Sequence, residues 1–209
     1  MCGPPASFVS PWLLNPYPLL IVLACSVLCS RITAVTAAFG AHEPAESRPS
    51  EYDVKAAYLL NFGKFVRIEP AEPAGAGSSF DVCVIGDDPI EAALRTQTAG
   101  ERINDRPVRI LHVKDGAAAR ACQIAYLGGG EGEHLDQSLD ELRGSDVLTV
   151  SDSPTFLARG GMIQFLLVSN HVRFSVSLDA VQRTHLRLSS EFLRVAYSVK
   201  GKPGKEGAP

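Results

Sequence analysis

From Glu51 onward the spacing of hydrophobic positions changes from one segment to the next, and each change marks an element. In EYDVKAAYLLNFGKFV, the residues Val54, Ala57, Tyr58, Phe62 and Phe65 recur at helical spacing behind Ser50 and Asp53, which are placed as a capping box. This predicts an opening helix. Arg67 to Ser79 is rich in Pro, Gly, Ala and Ser and reads as a loop. Phe80 to Gly86 reads as a buried strand, and Asp87 or Asp88 before Pro89 is positioned to cap a helix that runs to about Gln97 and stops at Gly100. Further strands are predicted at 108–113, 124–127 and 147–150, with helices at 117–121, 135–143 and 153–158 between and after them.

The last forty residues are the most legible. Met162 to Val168 is a continuous apolar run, Ser169 to His171 is a turn, and the next segment alternates strictly. There Val172, Phe174, Val176 and Leu178 point one way, while Arg173, Ser175, Ser177 and Asp179 point the other. Two such runs make a hairpin. Ser189 or Ser190 then caps a closing helix with Phe192, Val195, Ala196 and Val199 on one stripe. The whole pattern predicts a three-layer α/β domain: a mixed, partly parallel sheet flanked by helices, ending in a β-hairpin and a C-terminal helix.

Composition narrows the class. A chain of 209 residues with 45% hydrophobic content has the material for one domain with a substantial core. The formal net charge of −3 gives no polyanion-binding surface, so nucleic acid is not an expected partner. Ahead of the domain, Leu19 to Leu28 is an apolar run of secretory length, followed by small residues at Thr36, Ala37 and Ala38. This predicts a cleaved signal peptide, although no Lys or Arg precedes Arg31. An uncleaved anchor is the alternative, but the run falls short of the ~20 apolar residues a span needs. Val22 to Ala24 before Cys25 faintly resembles a lipoprotein box, with Leu23 atypical for one, and unlipidated export is the expectation.

Of the five cysteines, Cys2, Cys25 and Cys29 fall in the leader, which leaves Cys83 and Cys122 in the mature chain. In an exported protein two thiols without a third competitor are a candidate disulfide. Two unconnected buried thiols are the alternative. A bridge of this loop length contributes about 3 to 4 kcal/mol in the chain-entropy account.

Catalytic and metal chemistry find little to rest on. The run Gly128 to His134 follows a strand but lacks the Gly-Lys-Ser/Thr ending and the Gly-x-Gly-x-x-Gly spacing of phosphate loops, so a plain loop is expected. The five histidines have no metal-like spacing, and no Gly-x-Ser-x-Gly elbow is present. No cofactor, metal or catalytic set is expected. Arg173 and Arg187 are the two candidate contacts for an anionic ligand, since a guanidinium grips a carboxylate or phosphate. Solvated surface arginines are the plainer account of both.

Three segments in order resemble the YfiR family of exported proteins, a family also described as a domain of unknown function. They are the opening helix EYDVKAAYLLNFGKFV, the strand and turn FDVCVIGDDP (Phe80 to Pro89), and the closing block from Gly160 and Gly161 to Val199. The resemblance implies the order 1–38 signal peptide, 39–50 linker, 51–199 YfiR-like domain and 200–209 disordered tail. It also implies a disulfide at Cys83, which matches the family's strand, whereas the family's second cysteine pair has no counterpart after Cys122. The function implied is that of a periplasmic, non-enzymatic regulator that binds the periplasmic domain of a membrane-bound diguanylate cyclase and limits cyclic di-GMP synthesis, with homodimerisation left open. The alternative is a periplasmic binding module for a small ligand, an amino acid or anion, held at the carboxyl ends of the parallel strands.

Overall fold

Eight of the described strands form one mixed sheet, whose central strands Phe80–Ile85, Ile124–Leu127 and Leu148–Ser151 are almost wholly buried. The computed structural model describes residues 49–69, 78–128 and 133–201, all within the unit Arg48–Pro209. The predicted signal peptide, Cys25, linker residues 39–48, the glycines at 129 and 130 and the tail from residue 202 lie outside the described residues.

In chain order the elements are α1 (Glu51–Phe65), β1 (Val66–Ile68), β2 (Phe80–Ile85), α2 (Ile90–Gln97), β3 (Arg102–Ile103), β4 (Arg106–Val113), α3 (Gly116–Ala119) and β5 (Ile124–Leu127). They continue with α4 (Glu133–Leu142), β6 (Leu148–Ser151), β7 (Ile163–Val168), β8 (His171–Ser177), α5 (Leu178–Val181), β9 (Leu186–Leu188), α6 (Ser190–Val195) and β10 (Ser198–Lys200). The large sheet runs β10-β8-β7-β6-β5-β2-β4-β3. Its strands β4, β2, β5, β6 and β7 are parallel, β8 is antiparallel to β7, and β10 is parallel to β8. The strand order reverses between β2 and β5, the switch point at which doubly wound sheets open a crevice.

Alternation along β2 divides the interior into two cores. Val82 and Val84 face a core built with α1, α2, α5 and α6, whereas Cys83 and Ile85 face a second core with Ala119 of α3 and Leu135, Leu139 and Leu142 of α4. Helices therefore cover both faces, which is the predicted three-layer α/β arrangement. The first core centres on aromatics. Phe62 of α1 has ring centroids 5.0 Å from Phe174, 5.1 Å from Phe192 and 5.8 Å from Phe165, so the opening helix is locked to the closing hairpin.

Local signals act as predicted at several joints. Ser50 and Asp53 form the reciprocal capping box of α1. Asp88 Oδ1 accepts the Ile90 amide at 2.9 Å at the start of α2. The β7–β8 hairpin turns on Ser169 and Asn170, both at positive φ (48° and 61°), as a two-residue primed turn requires.

Five expectations need correction. The closing helix stops at Val195 rather than Val199, because Ala196 is extended (ψ 141°) and the Tyr197 amide donates to Phe174 O, which starts β10. The domain thus ends in a strand after the helix, and Lys200 belongs to that strand rather than to the tail. The helix expected at 153–158 is a series of turns. The loop at 67–79 opens with β1, which pairs antiparallel with β9 in a two-stranded ribbon. The buried face of α1 carries Lys55, Ala56, Leu59, Leu60, Phe62 and Gly63, while Ala57 and Phe65 are exposed.

Candidate functional site

At the carboxyl ends of the parallel strands, the expected ligand crevice is occupied by the protein's own side chains. Lys55 of α1 reaches down to Asp152, just after β6, at 2.7 Å, and to Glu51 one turn back at 2.6 Å. Its side chain is only 6% exposed. Burial alone would lower its pKa, yet the Asp152 and Glu51 carboxylates outweigh burial and hold it above the ordinary lysine value. Asp88 at the end of β2 is pushed up, first by burial and then by the neighbouring Asp152 charge, against the stabilising Ile90 amide and Lys55. Gly128, after β5, packs so closely on Asp88 that a Cβ would lie 2.6 Å from its Oδ2.

Tyr126 of β5 is fully buried beneath this group, and among the described residues its hydroxyl has no partner in hydrogen-bonding geometry. Burial first, and then the Asp152 and Asp88 charges, push the phenol far above its ordinary value. It therefore stays protonated, a buried donor beneath the Asp88 and Asp152 carboxylates. Among the described residues no group of three or more His, Cys, Asp or Glu side chains has the arrangement to hold a metal ion.

The opposite end of the sheet order is apolar on the outside. The large hydrophobic side chains left exposed are Val195 (67%), Tyr197 (58%), Leu167 (54%), Phe65 (41%) and Val199 (40%). Three of them, Val195, Tyr197 and Val199, lie in or beside β10, the terminal strand of the sheet. Leu167 pairs with Val172 and Val199 with Val176, which places both on the face that carries Phe174. Among the described residues no strand lies beside the outer edge of β10. Apolar side chains next to an unpaired strand edge form a surface suited to docking a partner by strand addition.

The two predicted arginines are not brought together. Arg173 is exposed on β8, and Arg187 lies in the β1–β9 ribbon, where it pairs across from Arg67 and contacts Glu69 at 3.1 Å. Cys83 and Cys122 are joined, with Cα atoms 6.0 Å apart and a sequence separation of 39. This bridge ties the turn after α3 to β2 within the second core and fits an oxidising compartment. Sequence reasoning missed Lys55, Asp152 and Tyr126, because a lysine on a helix and an aspartate after a strand are ordinarily solvated. The one available signal was Lys55 lying between Val54 and Ala56, on the side of α1 that Leu59 and Phe62 bury. Among the described residues no helix is long and apolar enough to cross a membrane.

Comparison with known proteins supplies a family. No curated protein matches the chain. Among solved structures, a conserved domain protein from Vibrio cholerae O1 biovar El Tor is similar at 8% identity and a TM-score of 0.49, covering 72% of this chain and 60% of that one. This chain thus spans less than two thirds of that protein's length. The YfiR/HmsC-like family description matches residues 52–197, from the opening helix to the start of β10. The chain belongs to the YfiR/HmsC-like family.

Proposed function

We propose that this protein is an exported regulatory binding protein that restrains a membrane-anchored diguanylate cyclase through the cyclase's periplasmic sensor domain, and so limits cyclic di-GMP signalling. Membership of the YfiR/HmsC-like family supports the general role of a periplasmic regulator. The observation that carries the reading is the apolar surface around β10, where Val195, Tyr197 and Val199 flank an unpaired strand edge. A regulator of this kind needs no catalytic group. It acts by binding one state of its partner more tightly than the other, and the contact area supplies that difference.

Deleting the gene is expected to raise cellular cyclic di-GMP, and restoring the wild-type chain to lower it. A chain lacking residues 1–38 should fail to restore the low level, because the contact is then on the wrong side of the membrane. Val195→Asp combined with Tyr197→Asp should also fail while the purified protein remains folded. Unchanged cyclic di-GMP in the deletion strain, under conditions where the protein is expressed, rejects the reading. Dimerisation through the same edge is the competing use of this surface, and sedimentation of the wild type against the double variant separates the two.

A further inference from the structure

The described residues hold a cleft of about 280 Å³ at the amino ends of β6 and β7, the opposite end of the parallel strands from the Lys55 cluster. It lies between the end of α4, the turns at 157–160 and the segment Ser177 to Thr184. Neither the family resemblance nor the apolar edge accounts for it. We infer that this cleft binds a small organic carboxylate.

The charge on its walls points to an anion. Arg143, Arg159 and Arg183 line it against one carboxylate, Asp179. Arg143 is drawn to Asp140, and Arg159 is held by Asp136 at 2.7 Å. Arg183, by contrast, has no ion pair among the described residues and stands exposed at the cleft. A guanidinium offers a planar fork of N–H donors that matches a carboxylate two to two.

Two buried hydroxyls also have a proton to give. Thr149, 3% exposed, accepts the Met162 amide at 3.1 Å, and Ser177, 8% exposed, accepts the Ala180 amide at 3.3 Å. A hydroxyl that accepts in this way still has its own O–H to donate. Neither donates to another described residue, which leaves each hydroxyl a proton it could give to a ligand.

The apolar lining decides which anion. Leu142, Leu157 and Met162 line the cleft beside the polar groups and give it an apolar portion that inorganic phosphate would leave uncovered. The volume is just under the ~300–1,000 Å³ of sites for drug-sized ligands, which excludes a nucleotide and suits a single ring or short chain bearing one carboxylate. Entry is open, because at Gly144 and Gly160 even an added Cβ would meet nothing within 4 Å.

The test uses benzoate, its neutral counterpart benzamide, and inorganic phosphate, each titrated into the purified protein by calorimetry. Benzoate is expected to bind in the micromolar to millimolar range, and benzamide and phosphate much more weakly. Arg183→Gln, at an exposed position that does not support the fold, should weaken benzoate at least about tenfold, the factor that corresponds to ~1.4 kcal/mol. Absence of benzoate binding at millimolar concentration overturns the inference. Benzamide binding as well as benzoate does so too, since the cleft is then only apolar, as does phosphate binding equally, since it is then only cationic. Unchanged benzoate affinity in Arg183→Gln places the anion elsewhere and also overturns it.

Discussion

The middle of the sheet and its β10 end use the same strand chemistry to opposite purposes. In the middle, at β2 and β5, side chains on both faces are covered by helices, a disulfide spans β2 and the turn before β5, and the Lys55 ammonium at the strand ends is paired with Asp152. At β10 the strand is three residues long, one side pairs with β8, and Val195, Tyr197 and Val199 remain in solvent. The lesson is that burial separates stability from recognition in this domain. Substitutions in the middle are expected to change how firmly the protein folds. Substitutions at the edge are expected to change what it binds and leave the fold alone.

The largest effect expected of the middle is that of the bridge. Cys83→Ser should lower unfolding free energy by about 2 to 5 kcal/mol, measured by urea denaturation without reductant. A loss as small as that of an edge variant would break the comparison. Next is Asp152→Ala, which leaves the buried Lys55 ammonium with Glu51 as its remaining partner. A loss of about 2 kcal/mol is expected, below the ~3–5 of a wholly buried pair because Asp152 itself is partly exposed.

Tyr126→Phe sharpens the comparison by its sign. Removing a buried hydroxyl that has no partner should raise stability by about 1 kcal/mol, seen as a higher urea midpoint at unchanged slope. A fall instead would mean that the hydroxyl is satisfied.

Asp88 gives a smaller, pH-dependent effect. Its folded pKa is raised, so the folded state holds the proton more tightly than the unfolded chain, and the ionised form is a cost at neutral pH. Asp88→Asn, which keeps an acceptor for the Ile90 amide, should be more stable than wild type at pH 7. That advantage should shrink as pH falls through the raised value and vanish below the ordinary aspartate range. Chemical denaturation across pH 3 to 7, roughly the window set by these carboxyl values, reads the difference directly. Smallest of all is Tyr197→Ser at the edge, expected to stay within about 0.5 kcal/mol of wild type in stability. Partner binding, not the urea midpoint, is where that substitution should register.

Much of the architecture is legible in local signals. The Ser50–Asp53 box, the apolar run of β2 and the alternation from Val172 to Ser177 each carry their element in a few residues, because caps and period-2 burial are short-range effects. The closing segment misled because Phe192, Val195, Ala196 and Val199 have helical spacing, while the stretch from Tyr197 can satisfy its backbone beside β8. A long-range hydrogen-bonding partner there outweighs a local preference for helix. The same holds for β1 and β9, which pair across more than a hundred residues.

The sequence by itself determined the α/β class, the candidate thiol pair and the family, since each depends on residue type and order along the chain. Only the tertiary structure decided that Lys55 is buried against Asp152, that Tyr126 is buried with no partner among the described residues, and that Arg183 lines one cleft with Thr149, Ser177 and Leu142. The physical reason is that a charge or hydroxyl takes its energy from what surrounds it within a few ångströms, and those neighbours come from strands and helices far apart in the chain.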